Sequence, residues 1–265
     1  MTKKLLYVVL DGLGDRPIKA LGGKTPLEAA QTPRMDDLAR NAKLGYVYTV
    51  GENIAPESDI AVISILGYEA DKFYTGRGPL ESYAEGLEVR DGDLAYRVNF
   101  ATKEPRSRKI IDRRVGRSLT TEEASSLAKE VNEKVKLKGA SFVFKNTVGH
   151  RGVLVIRKDE ARLSAGVTNT DPAYEREGVY GVAKPTFEKV IQVARPTEEF
   201  KNSAEAREAA RLTNEFVEES ARVLENSEVN KKRKAERKLP ANLILTRDGG
   251  NRLPEFPRIG ELFNL

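Results

Sequence analysis

Leu5-Leu6-Tyr7-Val8-Val9-Leu10-Asp11-Gly12 is an apolar run that ends abruptly in a carboxylate and a glycine. A run of this kind reads as a buried parallel strand that delivers Asp11 to its C-terminal edge, where open α/β sheets hold their ligands. Further along, Pro56-Glu57-Ser58-Asp59 leads into Ile60-Ala61-Val62-Ile63-Ser64-Ile65-Leu66-Gly67. This pattern predicts a helix with Ser58 at or near its N-terminus, where free N–H groups and the helix dipole favour a phosphate. Each signal also has an ordinary reading: Asp-Gly is a common turn pair, and serine is a common helix cap.

Between and beyond these segments the chain keeps an alternating order. Thr25-Pro26 and Thr32-Pro33 are helix-start signals, and Gly45 to Val50 reads as a second strand. Strand, helices, strand, Ser58 turn and helix make a βαβ unit of a parallel sheet. Past Gly86 the runs shorten. Strands are expected at Leu94 to Ala101, at Ile110-Ile111, and as an antiparallel pair over 140–147 and 152–158 that turns at Gly149-His150. A helix is expected over 121–135 with Thr120 or Thr121 as its cap, and a further strand at 190–193. Arg195-Pro196-Thr197 reads as a return to the first module, followed by a long amphipathic helix from Glu198 to about Leu224 and a buried strand over 242–247. The organisation is therefore 1–86 as the first part of a core, 87–194 as an inserted α+β module, and 195–265 as the return to the core.

Composition narrows the function classes. The 265 residues carry 45 Lys and Arg against 40 Asp and Glu, a net charge of +5, which an anionic small molecule explains as well as nucleic acid does. The basic run Lys231-Lys232-Arg233-Lys234, with Arg237 and Lys238, reads first as a solvated helix face, and it has no interleaved aromatic residues. No nucleic-acid partner is expected. With no cysteine there is neither a disulfide framework nor a thiolate metal site. The apolar run after Lys4 is too short for a signal peptide or a membrane span, so the expectation is a cytoplasmic protein without a membrane partner. The sequence gives no signal for an oligomeric state.

Several segments together resemble one family. They are Asp11-Gly12-Leu13-Gly14-Asp15, the stretch from Thr25 to Ala39, Glu57-Ser58-Asp59-Ile60-Ala61, Gly67-Tyr68, the stretch from Tyr74 to Glu81, Asn99-Phe100-Ala101-Thr102, Asp112-Arg113-Arg114, Gly149-His150-Arg151-Gly152 and Thr170-Asp171-Pro172. In this order they are similar to the archaeal branch of the cofactor-independent phosphoglycerate mutases, in the alkaline phosphatase superfamily. The resemblance implies an α/β fold: an alkaline-phosphatase-like parallel sheet flanked by helices, incomplete here, with an inserted α+β domain.

The resemblance also implies the chemistry: 2-phosphoglycerate and 3-phosphoglycerate interconvert in glycolysis and gluconeogenesis through a phosphoserine enzyme. Ser58 is then the nucleophile, and Asp11 and Ser58 are ligands of two divalent metal ions, Mn2+, Zn2+, Mg2+ or Co2+. A serine hydroxyl is a weak nucleophile at neutral pH and needs such activation. A substrate with one phosphate and one carboxylate suits guanidinium forks. By resemblance, Asp112, Arg113, Arg114, His150 and Arg151 bind phosphoglycerate from the inserted module, with Arg247 and Arg252 facing them. Arg77 in the Gly76-Arg77-Gly78-Pro79 turn is a further arginine able to touch phosphate.

The chain departs from the family in one respect. A two-metal site of this superfamily takes further Asp and His ligands from a later region, and this sequence has a single histidine, His150, in the inserted module. The expectation is a chain that resembles the N-terminal part of the enzyme and lacks turnover by itself. Two alternatives follow: another phosphomutase or phosphatase of the superfamily, or a non-catalytic phosphoglycerate-binding protein.

Overall fold

The computed structural model describes residues 4, 6–10, 12–52, 56–177 and 180–263. The chain divides into two compact units, 1–48 and 49–265.

In the first unit, α1 (Pro26–Ala29) and α2 (Pro33–Arg40) form where the Thr-Pro signals place them. Thr25 and Glu28 close a capping box, the Thr25 hydroxyl accepting from the Glu28 N–H at 3.2 Å while Glu28 accepts from the Thr25 N–H at 2.7 Å. The strands expected over 5–10 and 45–50 are not formed among the described residues. Leu6 is 85% exposed and Tyr46 84%. A parallel strand needs neighbours for its N–H and C=O groups and cover on both faces, and the described residues of this unit supply no strand to pair with. Asp11 itself lies outside the described residues.

The second unit opens with α3 (Ser58–Ile65), α4 (Ala70–Phe73) and α5 (Arg77–Ala84). The central strand β1 (Leu94–Lys103) follows, then β2 (Ile110–Asp112), α6 (Thr121–Lys134), β3 (Ser141–Asn146) and β4 (Arg151–Arg157). After the small hairpin of β5 (Tyr174–Glu177) and β6 (Tyr180–Ala183) come α7 (Ala204–Glu225), α8 (Glu228–Ala235), β7 (Leu243–Gly250) and α9 (Ile259–Phe263). β1, β2, β3, β4 and β7 form one five-stranded sheet in which every pairing is antiparallel. Over most of its length β1 lies between β4 and β7, and its last residues pair with β2.

Two differences from the sequence reading follow. The parallel sheet expected of the first module is not formed among the described residues; the sheet that is formed contains the expected antiparallel pair of the α+β module, and β1 alternates within it. Leu94, Tyr96, Val98 and Phe100 enter a core shared with α6 and α7, while Arg97 and Asn99 point to the opposite face. The stretch 195–265, expected as a return to the first module, instead continues this layer. β7 pairs with β1, and Leu212, Phe216 and Leu224 of α7 join the same core. The strand expected at 190–193 reduces to one bridge, Lys109 to Val190.

α5 covers the polar face of β1. It approaches so closely that a Cβ on Gly78 would stand 2.2 Å from the Ala95 carbonyl oxygen, so only glycine fits there. This contact holds Arg77 and Glu81 over the strand.

Candidate functional site

The register of the sheet builds a cationic cleft. Arg97 of β1 lies opposite Arg247 of β7, and Asn99 lies opposite Arg151 of β4. Residues two apart on a strand share a face, so this arrangement gathers guanidinium groups on one surface. Like charges directly opposite each other weaken a sheet; here Glu81 stands 3.4 Å from Arg97 Nε, and Glu57 and Asp248 stand 3.4 and 3.6 Å from Arg247 Nη1. The α3 N-terminus, the Asp112 turn and the Gly149-His150 turn close the cleft. Its volume is about 430 Å³, and six arginines line it: Arg77, Arg97, Arg114, Arg117, Arg151 and Arg247. Ser58, His150, Asn99, Tyr174 and one carboxylate, Glu57, complete the wall.

Ser58 is the first residue of α3 and is exposed to the cleft. Its neighbours Glu57 and Asp59 are already engaged. Arg77 Nη1 stands 3.4 Å from Glu57 and 3.8 Å from Asp59, Arg247 Nη1 reaches Glu57 at 3.4 Å, and the Tyr74 hydroxyl donates to Asp59 at 2.6 Å. These contacts pair the acidic flank of the serine with cations and a hydroxyl of the same wall. Burial, then repulsion from Arg247, lowers the Arg97 pKa, an effect that Glu81 partly opposes. The Nε atoms of Arg97 and Arg247 are buried without a hydrogen-bond partner.

His150 sits half-buried in the β3–β4 turn, and its carbonyl accepts from the Phe100 N–H at 2.7 Å. Burial, and then the positive charges of Arg151, Arg114, Arg117 and Arg97, push its pKa down to about 4. The imidazole is therefore neutral at neutral pH inside a cationic cleft.

Six of the residues singled out in the sequence meet in this cleft: Ser58, Arg77, Arg114, His150, Arg151 and Arg247. Asp112 and Arg113 border a neighbouring cavity instead. The Asp112 carboxylate accepts from the Arg114 N–H at 2.7 Å and the Gly116 N–H at 2.8 Å, and so shapes the turn that presents Arg114 and Arg117. That turn places Val115, Gly116 and Arg117 at positive φ, uncommon for a β-branched residue. Arg113 is held by buried Asp171, its Nε and Nη2 donating at 2.7 and 2.5 Å. Its guanidinium packs 5.2 Å from the Tyr174 ring, against which Arg247 stacks at 3.9 Å. Arg252 lines a different cavity, beside Lys72 and Glu255.

Sequence reading missed Arg97, Arg117 and Tyr174. A single charged residue in the alternating run of β1 was the available signal for Arg97. Arg117 lies in the short turn after β2 and Tyr174 opens the short strand β5, and neither carries a local signal. Among the described residues, no group of three or more His, Asp or Glu side chains is gathered as metal ligands.

A sequence model of the family described as 2,3-bisphosphoglycerate-independent phosphoglycerate mutase matches residues 39–230. The chain belongs to this family. A mutase of this name from Aeropyrum pernix is 45% identical over 265 residues, covering 99% of this chain and 61% of the relative. One from Methanopyrus kandleri is 42% identical over 252 residues, covering 94% of this chain and 56% of the relative. The chain thus spans less than two thirds of the length of these curated relatives. The solved cofactor-independent phosphoglycerate mutase from Thermoplasma acidophilum matches with a TM-score of 0.55 at 33% identity, over 96% of this chain and 60% of that one. The PH0037 protein from Pyrococcus horikoshii matches with a TM-score of 0.66 at 30% identity, over 97% and 53%. The mixed α/β fold is therefore that of the phosphoglycerate mutases. No described helix is long and apolar enough to cross a membrane.

Proposed function

We propose that this chain provides the phosphoserine position and the phosphoglycerate-gripping cleft of a cytoplasmic phosphoglycerate mutase that serves glycolysis and gluconeogenesis. One observation carries the proposal: Ser58, at a helix N-terminus, faces a cleft lined by six arginines and a single carboxylate. In the reaction, the Ser58 oxygen gives up its proton and forms a bond to phosphorus as the bond to one glycerate oxygen breaks, and that oxygen takes up a proton. The retained glycerate then attacks the phosphoserine through its other hydroxyl, which loses its proton, and free Ser58 is regenerated. The guanidinium groups hold the carboxylate and the non-bridging phosphate oxygens through both steps. Neutral His150 is placed beside them with a ring nitrogen able to accept a hydrogen bond.

Two divalent metal ions belong to this proposal as the activators of Ser58. The described residues do not fit such a site alone. Ser58 offers one oxygen, Asp11 lies outside the described residues, and Glu57 and Asp59 are taken up by Arg77, Arg247 and Tyr74. No step is therefore assigned to a metal here, and the 265-residue chain is expected to bind phosphoglycerate without turning it over.

The test is calorimetric titration of the chain with 3-phosphoglycerate, beside a coupled mutase assay in manganese. One saturable, salt-sensitive site that survives Ser58→Ala, without turnover, is the expected result. Absence of binding would remove the proposal; turnover would remove its claim about the isolated chain.

A further inference from the structure

A second cavity opens between the β1–β2 turn and α7, with a volume of about 450 Å³. Its floor is apolar: Ile191, Val217 and Leu243 are buried members of the main core. Its rim is cationic, with Lys103, Arg106 and Arg108 on one side. Among the described residues, none of these three cations has a carboxylate within ion-pair distance. Lys103 Nζ reaches the Glu104 carbonyl at 3.4 Å, and Arg108 donates to the Ile191 carbonyl through Nε at 3.3 Å and Nη2 at 2.8 Å. Arg106 stands at the tip of a tight turn with φ of 53°, an uncommon conformation for a residue other than glycine.

The acidic residues of the wall answer these charges only in part: Glu225 feels the charge of Lys103 but makes no ion pair with it. The two oxygens of Glu225 are taken by Lys234 at 2.7 Å and by Asn242 at 2.6 Å. Glu218, also on the wall, is a single carboxylate against three cations. Excess positive charge at one end and aliphatic surface at the floor define a ligand with two unlike ends. Pockets for drug-sized molecules occupy about 300–1,000 Å³, and this cavity falls within that range.

We propose that this cavity is a binding site for a small organic anion with a flat apolar body. Lys103, Arg106 and Arg108 hold the charge, and Ile191, Val217 and Leu243 carry the body. Phosphoglycerate has no apolar body and suits the polar Ser58 cleft instead. The two sites take different ligands, and this one stands whether or not the Ser58 cleft binds phosphoglycerate.

The test uses 8-anilinonaphthalene-1-sulfonate as the probe and the whole 265-residue chain. Fluorescence titration is expected to show one saturable site that 3-phosphoglycerate does not displace. The pair Arg106→Glu and Arg108→Glu reverses charge only at the rim and should weaken the probe about tenfold or more. Ala221→Met, which extends a side chain from α7 into the floor, should weaken it with the rim intact and guards against a misfolded charge variant. Equal binding by wild type and both variants, unsaturable binding, or equally effective displacement by inorganic phosphate would overturn the proposal.

Discussion

β1 is paired on both sides along most of its length, whereas the apolar residues 44–48 have no ladder partner among the described residues. Both segments are rich in the β-branched and aromatic residues that favour strands. β1 has β4 and β7 within its own unit and two helices to bury Tyr96 and Phe100, while Leu44, Tyr46 and Val47 remain exposed. Strand propensity describes what a residue does on a pleated, half-buried surface. Without partner strands it builds nothing.

The sharpest way to break this comparison is to truncate one apolar side chain in each region. Phe216 is fully buried, with its ring 5.1 Å from that of Phe142 and 6.2 Å from that of Phe144. Phe216→Ala should cost about 3–5 kcal/mol of stability, measured by urea unfolding. Val47→Ala, at an exposed and unpaired position, should change it by no more than about 0.5 kcal/mol. Comparable losses at both positions would mean that 44–48 is packed after all.

A second comparison lies within the basic run. Arg233 is fully buried, unlike its neighbours Lys231, Lys232 and Lys234. Its Nε donates to the Leu239 carbonyl at 2.9 Å, Nη2 donates to the Ser118 hydroxyl at 2.8 Å, and Nη1 meets Glu123 at 2.5 Å. Arg233→Met leaves Glu123 and the Ser118 hydroxyl without these partners and should cost about 3 kcal/mol. Lys232→Met should be close to neutral by the same unfolding measurement.

These pairs show what was legible in the sequence. The helices of the Thr-Pro signals, the Ser58 helix, α6, the β3–β4 hairpin and β7 were readable because each rests on local periodicity and local caps. The parallel sheet was not, because apolar runs alone do not reveal which partners a strand will find. The same holds for the site. Ser58, Arg114, His150, Arg151 and Arg247 were named from local motifs that resemble the family. Arg97 escaped because its place in the cleft comes from register, which sets it opposite a residue 150 positions later. Arg113 was read as a substrate ligand, and the structure commits it to Asp171 because a buried carboxylate requires a partner. In the basic run, the solvated-face reading holds for Lys231, Lys232 and Lys234 and fails at Arg233.

Register makes its own prediction. Arg97→Met removes one of two facing guanidinium groups and relieves their repulsion, so binding and stability should separate. Affinity for 3-phosphoglycerate should fall by about 1.5–3 kcal/mol, roughly tenfold to a hundredfold, in calorimetric titration. The unfolding midpoint should hold or rise. A parallel loss of both would mark Arg97 as a structural residue rather than an anion ligand.

The smallest effect is the most specific to the cleft, and it concerns protons. His150 has a pKa of about 4 in the folded chain against an ordinary value of 6.5, because of burial and the surrounding arginines. Between these values the unfolded chain binds a proton that the folded chain refuses. The stability linked to this group is therefore complete above about pH 6.5 and is lost as pH falls toward 4. An anion among the arginines offsets their positive charge, so a bound phosphate should raise the His150 pKa, and binding below pH 6.5 should take up a proton. His150 is the only histidine in the sequence, so one imidazole resonance reports the titration by proton NMR. Its midpoint should lie near 4 in the free chain and move upward with 3-phosphoglycerate. A midpoint that the ligand leaves unmoved would place phosphoglycerate outside the cleft that the register of β1, β4 and β7 creates.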